Sequence, residues 1–217
     1  MKATYGIVIA SYKYGHLAAH AIESILAQTK PFDKIWFVDD GAGDCQHLIP
    51  LYADRGIQFV LRDTNLGIVD NFNDMLGRVD TDFVMFMGAD NWLRPDTLYQ
   101  LNDALEEYQS SLNPKIIMYD IMVTGELKNQ LYQTYHASMW ASQGGFVWNR
   151  NGFHHGSMLY HAETARQLGG YAHNRTSSRT DEDLNLWDKF KNNGHLSIHV
   201  PLPLLYYRRH KENFNKF

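Results

Sequence analysis

The sequence is most informative first in what it lacks. It has one cysteine, Cys45, in 217 residues. That excludes an intrachain disulfide and any zinc site built from several thiolates, so nothing in it calls for an oxidising compartment. It has no apolar run long enough to span a membrane and no secretory leader, because the opening MKATYGIVIASYKYG carries one lysine and a brief apolar stretch that reads better as a buried strand. These absences give the expectation of a cytoplasmic protein with no integral membrane segment. There is no excess of positive charge. The formal net charge is -4, so composition gives no argument for a nucleic-acid partner. No G-x-G-x-x-G follows the first strand, and no G-x-x-x-x-G-K-[ST] occurs anywhere, which argues against dinucleotide and P-loop sites. A G-x-S-x-G elbow is also missing. The lone Cys45, beside a turn, reads as inert rather than nucleophilic. No internal repeat or low-complexity segment is evident.

What is present is the pattern of an ordinary globular domain, 44% hydrophobic and 20% charged, long enough for one substantial core and short for two. Short apolar runs alternate with amphipathic stretches. Tyr5–Ala10, Lys34–Val38, Ile57–Leu61 and Phe83–Met87 read as strands. Between them, Leu17, Ala18, Ala21, Ile22, Ile25 and Leu26, and later Ile68, Phe72, Met75 and Leu76, recur at helical spacing. A weaker helix is expected over Gln46–Asp54, with Pro50 near its start. Pro95 suits the first position of a helix carrying Leu98, Leu101 and Leu105. This alternation predicts an α/β fold with a mostly parallel sheet and helices on both faces.

Further strands are expected at Ile116–Val123, Gly156–Tyr160, Leu196–Val200 and Leu204–Tyr207. A hairpin turns over 125–129 into Gln130–Tyr135, and helices cover Ala162–Leu168 and Asp181–Asn192. The segment His136–His155 has no clear period and holds Trp140, Trp148 and Phe153. Those rings read either as a ligand-stacking wall or as a satellite apolar cluster.

Three acidic clusters stand at ends of elements: Asp39-Asp40, Asp90, and Asp181-Glu182-Asp183. In open α/β sheets ligands bind beyond the C-terminal ends of the strands, which is where Asp90 falls. From the residues alone Asp90 is equally a helix cap, and the acidic triplet equally a first helical turn favoured by the helix dipole.

The order of the motifs adds a second line of argument. IVIASYKYG, SILAQT, IWFVDDGAGD, RDTNLGIVDNFNDML, FVMFMGADNWLRPDTL, HHGSMLYHAETARQLGGY, TDEDLNLWDKF and PLPLLYYRRH occur in that sequence along the chain. Together they resemble the family 2 glycosyltransferases of GT-A fold. The resemblance implies a single domain over 1–217 with a Rossmann-like mixed sheet. Residues 1–95 would be the nucleotide-binding half and residues 96–217 the acceptor-binding half.

It further implies an inverting transfer of a sugar from a nucleoside-diphosphate sugar, UDP-linked, to a saccharide or other hydroxyl acceptor. Asp40 would accept from the imide N–H of the base, and Tyr12 would stack on it. Ala10, Asn65, Gly67 and Ala89 would line the donor. Asp90 would bind Mn²⁺ or Mg²⁺ between the phosphates. His210 would be a second ligand, with His154 or His155 as the other candidates. Asp183 would be the general base, with Glu182 orienting the acceptor. The chain departs from the family by carrying Gly88 and Ala89 where many members place a second acid, and Asn185 where another acid is common. That departure motivates an alternative, a catalytically inactive module that binds nucleotide sugars.

Overall fold

The computed structural model describes residues 2–125, 130–132, 157–173, 182–211 and 213. The strands are β1 (Tyr5–Ser11), β2 (Lys34–Asp39), β3 (Ile57–Leu61), β4 (Phe83–Gly88), β5 (Trp92–Leu93), β6 (Ile116–Gly125), β7 (Gln130–Tyr132), β8 (Leu159–His161) and β9 (Ser197–Arg209). The helices are α1 (Gly15–Leu26), α2 (Ile49–Tyr52), α3 (Ile68–Arg78), α4 (Thr97–Leu112), α5 (Ala162–Gln167) and α6 (Glu182–Asn192). The strands form one sheet in the order β3-β2-β1-β4-β8-β6-β9-β5, with β7 beside β6. β1 to β4 pair in parallel, β8 is antiparallel to both neighbours, and β9 runs parallel to β6. Among the described residues no helix is long and apolar enough to cross a membrane.

Period-two alternation along the strands divides the core between the two faces. Ile7, Ile9, Met85 and Met87 face α1 and α4, which bury Ala18, Ala21, Ile22 and Ile25 and Leu98, Leu101 and Leu105. Val8, Val84 and Phe86 face the other way, towards α3, α5 and α6, where Met75, Leu76, Ala165, Leu186, Trp187 and Phe190 are buried. Each such leucine contributes about 2 kcal/mol by leaving water.

Three expectations need correction. The stretch 46–54 is a 3₁₀ turn, one turn of α-helix and a second 3₁₀ turn, with Pro50 at the start of the α turn and Gly56 in the left-handed region closing it. The helix expected to begin at Pro95 begins at Thr97. Residues 92–95 are held extended instead: β5 pairs with β9, Arg94 N donates to Leu204 O (3.0 Å) and Thr29 N donates to Pro95 O (2.8 Å). The two strands expected after residue 196 are one. β9 runs through Pro201 and Pro203 because its register against β6 shifts around Tyr119–Ile121, and an irregularity there tolerates residues that cannot donate to the ladder. The segment 133–156, with Trp140, Trp148, Phe153, His154 and His155, lies outside the described residues.

Candidate active site

The C-terminal ends of β1, β2 and β4 are tied together before any side chain is considered. Ala89 N donates to Ala10 O at 2.8 Å and Asp40 N to Ser11 O at 2.9 Å. Ala10 is therefore the rim of β1, paired with Gly88, and Ala89 is fully buried beside it. Asp90 follows, 5% exposed. Its carboxylate folds back over Gly88, where an added Cβ would lie 2.6 Å from Asp90 Oδ1. The glycine that stands in place of a second acid is thus the space Asp90 occupies.

Asp90 is partnered from far along the chain. His210 Nε2 lies 3.1 Å from its Oδ2, and Asn213 Nδ2 donates to the same oxygen at 3.0 Å. Arg208 braces the backbone: Nε donates to Asp90 O (2.8 Å), its N–H donates to Asn91 Oδ1 (2.9 Å), and its other nitrogen meets His20 Nδ1 (2.8 Å). The guanidinium also covers the Trp92 ring at 4.8 Å, and Trp92 is stacked between His20 and Tyr206. Burial pushes the Asp90 carboxyl above the usual carboxylate range, and the His210 hydrogen bond opposes that shift.

A divalent cation fits this pair. Adjacent ligands on an octahedral ion with bonds near 2.1 Å stand about 3 Å apart, the separation found between Asp90 Oδ2 and His210 Nε2. His210 Nε2 would be the ligand atom, offered by the neutral imidazole. A cavity of about 440 Å³ opens next to it, bordered by His16, Gly125, Arg208, Arg209, His210 and Lys211, a cationic wall on a protein of net negative charge.

A second cluster of donor atoms, Asp39, Asp44 and Cys45, is a loop staple. Asp39 accepts from Ala42 N and Gly43 N, and Asp44 accepts from Gly15 N. The Cys45 thiol donates to Asp44 and lies 3.5 Å from Ser11 Oγ, and burial pushes it up to about 12, so a cation here would have to displace that proton and break these loop bonds.

Asp40 is buried and engages the 65–67 loop. Oδ1 accepts from Leu66 N, and Oδ2 accepts from Gly67 N and Asn65 Nδ2, each at 3.1 Å, with Arg62 Nε 3.5 Å from Oδ1. Gly41, at φ +79°, lets the β2 end touch that loop, since a Cβ there would lie 2.3 Å from Thr64 C. Gly67 takes φ +80° as it leads into α3. Tyr12 is 42% exposed, with Lys13 Nζ 5.0 Å from its ring centre. Lys13 has φ +68°, a left-handed conformation that is costly for a side chain of this kind, and it turns the loop that carries Tyr12.

Asp183 and Glu182 open α6. Asp183 Oδ1 is enclosed without a hydrogen-bond partner among the described residues, and burial, followed by the neighbouring Glu182 charge, pushes the carboxyl up to about 8. Tyr207 lies on β9, and burial first, then the Asp90 charge, push its phenol up, with a smaller push from Asp183. The residues that sequence reasoning missed are Asn213, Tyr207 and the bracing role of Arg208. The run YYRRH pointed to His210 through the family resemblance and gave no sign of what Tyr207 and Arg208 do.

The description of glycosyl transferase family 2 matches residues 6–178. The chain belongs to that family. The glycosyl transferase family 2 chain has the GT-A fold, as comparison with solved structures also shows. S. aureus TarS 1–349 superposes with a TM-score of 0.74 at 14% identity, covering 94% of this chain and 60% of that one. A longer TarS structure gives 0.76 at 15% identity, covering 95% of this chain and 37% of that one. TarS 1–349 in complex with UDP-GlcNAc gives 0.72 at 14% identity, covering 97% and 60%. The chain thus spans about 60% of the length of TarS 1–349 and less of the longer one. No curated protein matches it.

Proposed function

We propose that this family 2 transferase moves a sugar from a nucleoside-diphosphate sugar, UDP-linked, to a hydroxyl acceptor with inversion at the anomeric carbon. The observation that carries the reading is Asp90, a buried carboxylate at the C-terminal end of β4 that meets His210 at 3.1 Å and Asn213 at 3.0 Å in a family 2 chain. The structures of TarS with UDP and with UDP-GlcNAc support the choice of donor.

In this reading residues 1–95 hold the nucleotide. The exposed Tyr12 ring offers a face to the base. Asp40 exchanges one of its loop hydrogen bonds for the imide N–H. Ala10, Ala89 and the 65–67 loop leave room for the donor backbone to approach. Asp90 and His210 hold Mn²⁺ or Mg²⁺. When bound, that ion supplies positive charge next to the departing diphosphate. The cationic wall of Arg209 and Lys211 adds to the same field.

The acceptor meets residues 96–217. Its oxygen attacks the anomeric carbon from the face opposite the diphosphate, the carbon–oxygen bond to phosphate breaks with its electron pair leaving on the phosphate, and the hydroxyl proton passes to Asp183. A base that titrates near the working pH is efficient in such a transfer. Burial first, and then the Glu182 charge, keep the Asp183 carboxyl basic, and Glu182 orients the acceptor.

The test is Asp183→Asn with UDP-GlcNAc as donor probe. Transfer should fall by about 10²–10⁴ while donor affinity stays within about twofold. Unchanged transfer in the variant removes Asp183 from the reaction. Tight UDP binding with no turnover by the wild type against any acceptor favours the binding-module alternative.

A further inference from the structure

The start of α1 brings two side chains to the tail of β9. Tyr14, at the N-terminal end of the helix, meets the His210 ring edge-on with centres 5.3 Å apart. Further along, His20 lies beside Arg208, with Nδ1 2.8 Å from a terminal guanidinium nitrogen. Arginine stays charged and its nitrogens only donate. Nδ1 of His20 must then be the bare, accepting nitrogen, and the ring proton sits on Nε2. A doubly protonated imidazole has no acceptor and would face the guanidinium as a second cation. The chemistry of this one contact fixes both the tautomer and the charge of His20.

Arg208 carries the contact on to Asp90. Its Nε donates to Asp90 O at 2.8 Å, and its own carbonyl accepts from Asn213 Nδ2 at 3.1 Å. The same Asn213 amide donates to Asp90 Oδ2 at 3.0 Å, and His210 reaches that oxygen at 3.1 Å. A guanidinium is a rigid plane, so two bonded nitrogens and a covered ring define its orientation. Of those three restraints, Asp90 O belongs to the site itself. The other two come from one stack, in which the His20 and Trp92 rings lie 4.6 Å apart at 29°. Partial burial first, and then the Arg208 charge, push His20 below the usual imidazole range, which favours the neutral acceptor. β5 brings only the uncharged Trp92 and Leu93 to this corner, and β9 brings Arg208 and Tyr206. On α1 itself His16 stands one turn earlier, and Glu23, one turn later, is paired with Arg55 at 2.7 Å.

We propose that His20 is a positioning residue for the cation site: by accepting from Arg208 it aims the guanidinium that holds the Asp90 backbone and the turn carrying His210 and Asn213. The inference rests on the reading of Asp90 and His210 as ligands of a divalent cation. It adds to them a side chain 188 positions before Arg208 that acts on the site through that arginine.

Two measurements test this, one of them without metal. In the metal-free protein the ring ¹⁵N spectrum of His20 at neutral pH should show Nδ1 bare and Nε2 protonated. Arg208→Met should release the ring into a mixture of tautomers. A ring that is the same mixture with and without Arg208 overturns the proposal. The second measurement is calorimetry of UDP-GlcNAc binding with Mn²⁺ present. His20→Ala should weaken binding about threefold, the worth of one net hydrogen bond. His20→Asn, whose amide oxygen stands in for Nδ1, should recover most of that loss. Asparagine has no ring, so the recovery separates the hydrogen bond from the stack on Trp92. In an Arg208→Met background His20→Ala should cost nothing further, because a residue that acts through another is not additive with it. Losses that add, or an asparagine as poor as alanine, overturn the positioning role. Wild-type binding that is equal with and without Mn²⁺ overturns the cation reading of Asp90 instead, and the ring spectrum then decides by itself whether His20 aims Arg208.

Discussion

Asp90 and Asp183 are both carboxylates withdrawn from water, and the protein dresses them oppositely. Asp90 has His210, Asn213 and a braced backbone around it, and the His210 hydrogen bond works against the penalty of burial. Asp183 has an enclosed oxygen with no partner among the described residues and an acidic neighbour, and it is pushed up to about 8. Burial alone does not decide what an acid can do; its partners do. Surrounded by donors, a carboxylate serves as a fixed charge or ligand. Left bare beside another acid, it is suited to take up a proton.

The contrast can be broken first at Asp90. Asp90→Ala should lower donor affinity about tenfold or more with Mn²⁺ present and little in EDTA, measured by calorimetry with UDP-GlcNAc. Equal loss in both conditions would deny Asp90 its role as a cation ligand. Gly88→Val should give a similar metal-dependent loss of about fivefold to tenfold, because the new side chain claims the space of the Asp90 carboxylate. An unaffected variant would mean that the carboxylate can sit elsewhere.

The Asp183 side of the contrast shows in stability. Its folded-state pKa is raised, so the unfolded chain ionises first as pH climbs from the ordinary carboxylate range to about 8, and the wild-type fold loses stability across that window. Asp183→Asn should therefore melt about 3 °C or more above wild type at pH 8.5, with the gap closing by pH 4. A gap independent of pH would contradict the assignment. The smallest effect is expected for Arg208→Lys, about threefold in Mn²⁺-dependent donor affinity. Lysine keeps the charge but cannot bridge the Asp90 carbonyl, His20 and Trp92 together.

Legibility followed the range of the physics involved. β1 to β4 and helices α1, α3 and α4 were readable because apolar periodicity is local. Asp40, Asp90 and Asp183 stood out as acids at ends of elements, and the YYRRH run pointed to His210 near Asp90. What stayed hidden depends on distant chain. β5 exists only because β9 pairs with it. The late start of α4 follows from bonds that Arg94 and Pro95 make to Leu204 and Thr29. β9 bridges two prolines through a register shift against β6, which no single-strand pattern encodes. Trp187 lies on the helix expected over Asp181–Asn192 and is part of the core; that its N–H has no partner among the described residues shows only when the neighbouring elements are in place.

β9 delivers Arg208 and His210 to an aspartate about 120 positions earlier. During synthesis the N-terminal strands can pair long before that delivery, so a nascent chain would present Asp90 naked. Loop closure over such a span is slow compared with local pairing. Refolding followed in real time should therefore show the helices and the early strands in place first, with competence for cation binding gained as a distinct, later phase once residues 197–213 dock.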